Sequence, residues 1–204
     1  MKVILINGSP RKNGNTFLAL SEIAKQLNTH GIEAEILQIG NKYTRGCIVC
    51  GTCKAKANNR CVFDDDMCNQ VNEKMATSDA IIVGSPVYYG QPNGSVLALV
   101  QRMFYSAGSL YANKPAAAVA VCRRGGATAS LQTLLMPFQI MNMPIVTSQY
   151  WNIVYGREEG QAALDAEGMQ TMRTLADNMA FILTNTAGKE LPGRETRQYT
   201  HFIR

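Results

Sequence analysis

Two polar segments of this 204-residue chain carry residue types that can do chemistry. The first, residues 8–16, reads GSPRKNGNT and follows an apolar run at residues 3–6. A small polar loop between a strand and a helix gathers unpaired backbone N–H groups and the positive end of the helix dipole around one point. Hydroxyl and amide side chains add short donors, and Arg11 adds a guanidinium. The segment therefore predicts an anion-binding loop.

Two well-known phosphate loops do not match this segment. A nucleotide triphosphatase loop has GxxxxGK followed by Ser or Thr, but five residues separate Gly8 from Gly14, and Asn15 stands in the lysine position. A dinucleotide loop has GxGxxG, and Pro10 occupies the position of its second glycine. The remaining interpretation is a loop for one terminal monophosphate, such as that of FMN. An ordinary turn that caps a helix well stays open as the alternative.

The second segment is rich in cysteine. Cys47, Cys50 and Cys53 form CxxCxxC, and Cys61 follows after seven residues. Three thiolates at this spacing can bind one face of a [4Fe–4S] cluster, with a fourth cysteine from downstream. Structural zinc favours two separated CxxC pairs, and a reducing cytoplasm disfavours a disulfide. Free thiols without a cluster remain the alternative, and we expect the loop at the ligand edge of the sheet.

Strand and helix patterns alternate along the whole chain and predict a doubly wound parallel sheet. Ligands of such sheets bind beyond the carboxyl ends of the strands, where the strand order reverses. Helical spacing of apolar residues separates the strands, and Pro137 is expected to kink or end the fourth long helix. The five predicted strands are residues 3–6, 33–39 (an edge strand), 80–83, 116–121 and 145–147.

The loops after the third and fourth predicted strands are also unusual. Residues 84–94 read GSPVYYGQPNG, and two adjacent tyrosines are poorly explained by core packing in a surface turn. A flat aromatic ligand that stacks on Tyr88 or Tyr89 would explain them, although a small packed aromatic cluster stays open. Residues 122–128 read CRRGGAT. Paired glycines allow close approach to a planar ligand, and the arginines bring positive charge to a reduced flavin.

Together the three loops resemble those of the NADPH-dependent FMN reductase family over about residues 1–186. The resemblance implies a flavodoxin-like, five-stranded parallel α/β sheet in the order 2-1-3-4-5. It also implies an FMN-dependent oxidoreductase that takes hydride from NADH or NADPH and passes electrons to a quinone, a nitro compound or free flavin. The FMN-binding residues that it implies are Ser9, Arg11, Asn13, Asn15, Thr16, Pro86, Val87, Tyr88, Tyr89, Gly90, Arg123, Arg124, Gly125 and Gly126. The flavin itself is then the reactive centre, without a catalytic side chain.

The cysteine motif resembles that of the iron-sulfur flavoproteins, a branch of the same fold. This resemblance implies a [4Fe–4S] cluster on Cys47, Cys50, Cys53 and Cys61. It leaves open a second function, an electron carrier with ferredoxin-like partners, and a third, a flavin-binding redox sensor. The family resemblance also implies a homodimer or homotetramer, in which residues 150–152 reach toward a neighbouring subunit's flavin.

Composition sets the remaining expectations. The net charge is +5, but no basic run exceeds two residues, which argues against a nucleic-acid partner. No stretch approaches the length of a membrane span, so we expect a cytoplasmic protein without a membrane partner. We expect one domain over residues 1–188 with a cysteine-rich insertion at 44–63, followed by a tail at 189–204.

Overall fold

The computed structural model of the chain describes residues 1–41, 43–191, 195–196, 198–200 and 202. Its main sheet has the order β2-β1-β3-β5-β6 with every neighbouring pair parallel, while the short β4 pairs antiparallel with β3. The predicted order 2-1-3-4-5 of the parallel strands is confirmed. Because β4 is not one of these strands, the fourth and fifth parallel strands carry the labels β5 and β6. The strands are β1 (Lys2–Asn7), β2 (Glu33–Gln38), β3 (Ala80–Tyr88), β4 (Gln91–Pro92), β5 (Ala116–Cys122) and β6 (Ile153–Tyr155).

Helices cover both faces of the sheet, which explains why its central strands are apolar throughout. In β1, Val3 and Leu5 belong to the core on one face, while Ile4 and Ile6 belong to the core on the other. The helices are α1 (Asn15–Thr29), α2 (Thr52–Lys56), α3 (Cys68–Ala76), α4 (Gly94–Ala107), α5 (Ala127–Ile140) and α6 (Ala166–Thr186). Helices α1 and α6 pack on the Val3 face, and α3, α4 and α5 on the Ile4 face.

The predicted fifth strand at residues 145–147 is wrong. Ile145 makes only an isolated bridge with Ala116. The bridge consists of two hydrogen bonds: Ala116 N–H donates to the Pro144 carbonyl (2.8 Å), and the Ala116 carbonyl accepts from Val146 N–H (2.8 Å). The chain then leaves the sheet and returns as β6 beside the other end of β5. A pattern of only three residues was too short for the sequence to distinguish an isolated bridge from a strand.

One of the two outcomes predicted for Pro137 is wrong, because helix α5 does not end there but continues to Ile140. Helix α3 begins at Cys68, whose N–H donates to the side chain of Asp66 (3.0 Å), so Asp66 precedes the helix. Within the described residues, no helix is both long enough and apolar enough to cross a membrane. The predicted tail at 189–204 falls partly outside the described residues.

Candidate functional site

The loops after β1, β3 and β5 meet in one open cleft beyond the carboxyl ends of these strands. Its volume of about 230 Å³ is below the roughly 300–1,000 Å³ of sites that enclose a drug-sized ligand, so a cofactor would remain partly exposed. The lining residues are Ser9, Arg11, Gly14, Asn15, Thr16, Pro86, Val87, Tyr88, Val121, Arg123, Gly156 and Arg157.

The loop after β1 is folded by side chains from the strands beneath it. Ser9 N–H donates to the Asn7 side chain (3.2 Å), and Gln38 Nε2 donates to the Ser9 carbonyl (2.5 Å). The Ser9 hydroxyl in turn accepts from Arg11 N–H (3.1 Å). Helix α1 then begins at Asn15 without a side-chain cap, which leaves N–H groups of its first turn for a ligand. The loop therefore fits a phosphate group.

Asn15 connects the phosphate loop to the segment after β6. Its Nδ2 donates to the Glu158 carbonyl (2.9 Å), and its Oδ1 accepts from Ala162 N–H (3.1 Å). These bonds hold the segment that adds Gly156 and Arg157 to the cleft. Both residues were missed from the sequence because they follow the strand that was predicted in the wrong place.

Asn93 connects the phosphate loop to the loop after β3. Its side chain donates to the Gly8 carbonyl (2.8 Å), and its N–H donates to the Ser85 hydroxyl (2.9 Å). The same side chain caps α4 by accepting from Ser95 N–H (3.2 Å). Two walls of the cleft are thus joined by a single asparagine.

Close backbone contact joins the loops after β3 and β5. Gly126 has φ +88°, and a Cβ there would lie 2.6 Å from the Cα of Gly90 and 3.1 Å from Val87 Cγ1. Only glycine allows both this conformation and this approach. The predicted cofactor residues that lie outside the lining of the cleft are Asn13, Tyr89, Gly90, Arg124, Gly125 and Gly126. Their role as FMN ligands stays a prediction.

The four cysteines of the predicted cluster site line a second pocket, together with Arg102 and other side chains of α4. We call it the cysteine pocket and define it by Cys47, Cys50, Cys53 and Cys61. Cys47 Sγ accepts a hydrogen bond from Val49 N–H (3.4 Å), and Cys61 Sγ accepts one from Arg102 Nε (3.3 Å).

The cysteine pocket was predicted at the carboxyl edge of the sheet. It lies instead beside the second half of α4. Its lining residues from α4 are Arg102, Tyr105 and Ser106. Helix α4 begins at Gly94, next to the loop after β3, and Arg102 lies about 12 Å further along its axis at about 1.5 Å per residue. The long connection after β2 carries the cysteines away from the cleft.

The donor set of this pocket fits a cluster. Among the described residues, no three His, Cys, Asp or Glu side chains are placed to hold a single metal ion. In a [4Fe–4S] cluster, by contrast, each thiolate binds a different iron, so the sulfurs stand further apart than around one ion. Four free cysteines line this one pocket, which is the number and type of ligands that such a cluster needs.

The thiols differ in acidity. Burial raises the pKa of Cys68, outside the pocket, to about 12. Hydrogen bonds from Thr52 lower the pKa of the exposed Cys50 thiol. Burial also raises the pKa of Cys122, at the end of β5.

These pKa shifts predict an order of reactivity in the metal-free protein. Since the thiolate is the nucleophile, a thiol of pKa about 12 is only ~10⁻⁴ ionised at pH 8. We expect iodoacetamide to label Cys50 faster than Cys68, because more of the Cys50 thiol is ionised at pH 8. Labelling of Cys68 should stay slow and rise about tenfold per pH unit up to pH 10. Mass spectrometry of timed samples measures both rates, and equal rates for the two thiols would contradict the assignment.

Sequence comparison identifies related proteins over most of the chain. The sequence model of the NADPH-dependent FMN reductase family matches residues 1–158. An iron-sulfur flavoprotein of Methanocaldococcus jannaschii is 34% identical over 191 residues, which cover 90% of this chain and 97% of that protein. An iron-sulfur flavoprotein of Methanosarcina thermophila is 32% identical over 90% of this chain and 95% of its own length.

Solved structures confirm the flavodoxin-like fold. The apo form of an NADH:FMN oxidoreductase superposes with a TM-score of 0.66 at 14% identity, over 89% of each chain. An archaeal flavodoxin superposes with a TM-score of 0.60 at 13% identity, over 90% of this chain and 99% of its own. At these identities the likeness concerns the fold alone.

Proposed function

The chain belongs to the NADPH-dependent FMN reductase family of flavin-dependent oxidoreductases, and from this we propose that it is an iron-sulfur flavoprotein. It carries FMN in the cleft and a [4Fe–4S] cluster in the cysteine pocket, and it transfers electrons between a protein partner and a small acceptor. The observation that carries this proposal is the meeting of Cys47, Cys50, Cys53 and Cys61 around one pocket. The two relatives described above, both iron-sulfur flavoproteins, support it.

The two prosthetic groups supply complementary chemistry when bound: a flavin exchanges a hydride or single electrons, and the cluster exchanges one electron at a time. The protein binds and orients them. The uncapped start of α1 and Arg11 would hold the phosphate, Tyr88 would contact the ring system, and Arg123 would bring positive charge to it. One side of the cleft stays open, so a small acceptor can reach the ring.

The location of the cysteine pocket favours a protein partner. It is set back from the cleft along α4, so a partner can reach the cluster while a small molecule occupies the flavin side. Residues 45–66, which we call the cysteine segment, expose Ile48, Val49 and Val62. Lys54 and Lys56 add positive charge to it. An acidic, ferredoxin-like carrier matches this surface in charge.

Anaerobic rapid mixing tests the proposed electron source. We expect a reduced ferredoxin to bleach the cluster and flavin absorbance rapidly, and NADPH or NADH to bleach the flavin slowly. Rapid bleaching by NADPH, with no response to reduced ferredoxin, would contradict the electron-carrier function.

That contrary result would favour a second candidate, an NAD(P)H-dependent flavin reductase. The observation that favours it is the open cleft, in which Arg11 and Arg157 bring positive charge from two different loops. A nicotinamide cofactor carries its own phosphates and would meet these side chains. Its electrons would then pass to a quinone, a nitro compound or free flavin.

The arginine pair after β5 gives a matched prediction for the flavin. Arg123 lines the cleft, whereas Arg124 does not. Positive charge stabilises the reduced, more negative flavin, so Arg123→Gln should lower the FMN midpoint potential. Arg124→Gln removes the same charge from the neighbouring position and should change the potential less. Spectroelectrochemical titration measures both variants, and a larger change in R124Q would contradict the assignment.

We also propose that the chain assembles as a homodimer or homotetramer through the segment before β6. Tyr150 and Trp151 are 60% and 56% exposed, and their rings lie 5.1 Å apart. Exposed neighbouring aromatic rings are typical of interfaces. Light scattering should give a mass of at least two chains, and Trp151→Ser should lower it. A monomeric wild-type protein would contradict this.

A further inference from the structure

Helix α4 buries an arginine on a side that is otherwise mostly apolar. Arg102 is 1% exposed and lies one residue before the core residue Met103. Removing a guanidinium from water costs several kcal/mol unless partners replace the water. The partners of Arg102 therefore indicate what the side chain is for.

Those partners all belong to the cysteine segment. Arg102 forms an ion pair with the buried Asp66, and its terminal nitrogens donate to the carbonyls of Arg45 and Phe63 (3.3 Å each). Its guanidinium carbon also lies 5.3 Å from the centre of the Phe63 ring. Residues 45 and 63–66 flank the four cysteines, so a single side chain of α4 holds both ends of the segment.

The third nitrogen of the guanidinium donates to a thiol. Arg102 Nε donates to Cys61 Sγ at 3.3 Å. Hydrogen bonds to sulfur are one of the factors that set the reduction potential of an iron-sulfur cluster, because they stabilise its more negative, reduced form. Asp66 offsets much of the charge of Arg102, but it does not remove this directed N–H bond.

We propose that Arg102 is a positioning residue for the cluster site: it holds Cys61 and both ends of the cysteine segment in place before the cluster binds, and it raises the reduction potential of the bound cluster. This inference rests on the proposed function for the cluster. The effect of Arg102 on the cysteine segment can also be measured in the metal-free protein.

The test is the double variant Arg102→Met and Asp66→Asn. Removing both charges together avoids leaving one of them buried and unpaired, which the single variants would do. The matched control is Lys56→Met, which removes an exposed positive charge from the same segment. Thermal melting first verifies that each variant is folded.

Three readouts follow that do not depend on activity. In the double variant we expect the midpoint potential of the cluster to shift downward and iron loss to a chelator to become at least several-fold faster. In the metal-free form, amide hydrogen exchange across residues 45–66 should accelerate, while α1 and α6 exchange as in the wild type. The Lys56→Met variant should match the wild type in all three.

The possible failures are distinguishable. A wild-type protein purified anaerobically without iron would contradict the proposed cluster, whatever the variants do. A wild-type protein with its cluster, together with an unchanged potential and unchanged exchange in the double variant, would overturn the role of Arg102 alone.

Discussion

Replacing Cys53 with serine should remove iron and sulfide from the purified protein while FMN stays bound. Cys53 is the most buried of the four pocket cysteines and the third of the CxxCxxC motif. A serine hydroxyl stays protonated at neutral pH and is a poor iron ligand. Loss of a partner outside the ligand shell already weakens metal sites by roughly 10–100-fold, so loss of a ligand should cost at least that much.

Cys122→Ala is the matched control for this variant. Cys122 is buried as well, but it ends β5 and does not line the cysteine pocket. Iron, sulfide and flavin analysis of both proteins after anaerobic purification measures the difference. Full iron in the Cys53→Ser variant, or equal iron loss in both variants, would contradict the cluster site.

Adding one methyl group at Gly126 should weaken FMN binding strongly. An alanine there must adopt φ +88° and place its Cβ 2.6 Å from the Gly90 Cα. The left-handed conformation costs about 1–2 kcal/mol and overpacking about 1–3 kcal/mol. If the loops separate to relieve this contact, the dissociation constant of FMN should rise by about 10²-fold, since each 1.4 kcal/mol is about tenfold.

Gly94→Ala is the control, because Gly94 does not line the cleft and a Cβ at that position meets no atom within 4 Å. Titration of the metal-free protein with FMN, followed by quenching of flavin fluorescence, gives both dissociation constants. Equal affinities in the two variants would show that the contact between the two loops does not shape the cleft.

The sequence was sufficient to predict four of the five parallel strands and most residues that line the cleft. Continuous apolar runs such as residues 3–6 and 80–83 indicated strands that are buried on both faces. In the structure every residue of these two runs is buried. The strand order and the convergence of three loops follow from the topology of such sheets. The four cysteines were predicted together from their spacing and from the resemblance to the iron-sulfur flavoproteins, and they do line one pocket.

What the sequence could not predict depends on contacts between distant residues. Arg157 was missed because the last strand was predicted at residues 145–147. The loop after β6 was therefore not recognised as part of the cleft. Asn15 lines the cleft, and its side chain also bonds to the backbone of Glu158 and Ala162, a connection that the sequence did not indicate. The position of the cysteine pocket depends on Arg102, a single charged residue within an apolar helical pattern. Spacing along the chain contains no information about such a long-range partner.

The most direct test of the account is an anaerobic preparation of the wild-type protein, analysed for flavin, iron and acid-labile sulfide. A site for FMN together with one [4Fe–4S] cluster predicts about one FMN, about four iron atoms and about four sulfide ions per chain. A colourless protein that takes up no FMN on incubation with it, and that contains no iron, would contradict the account.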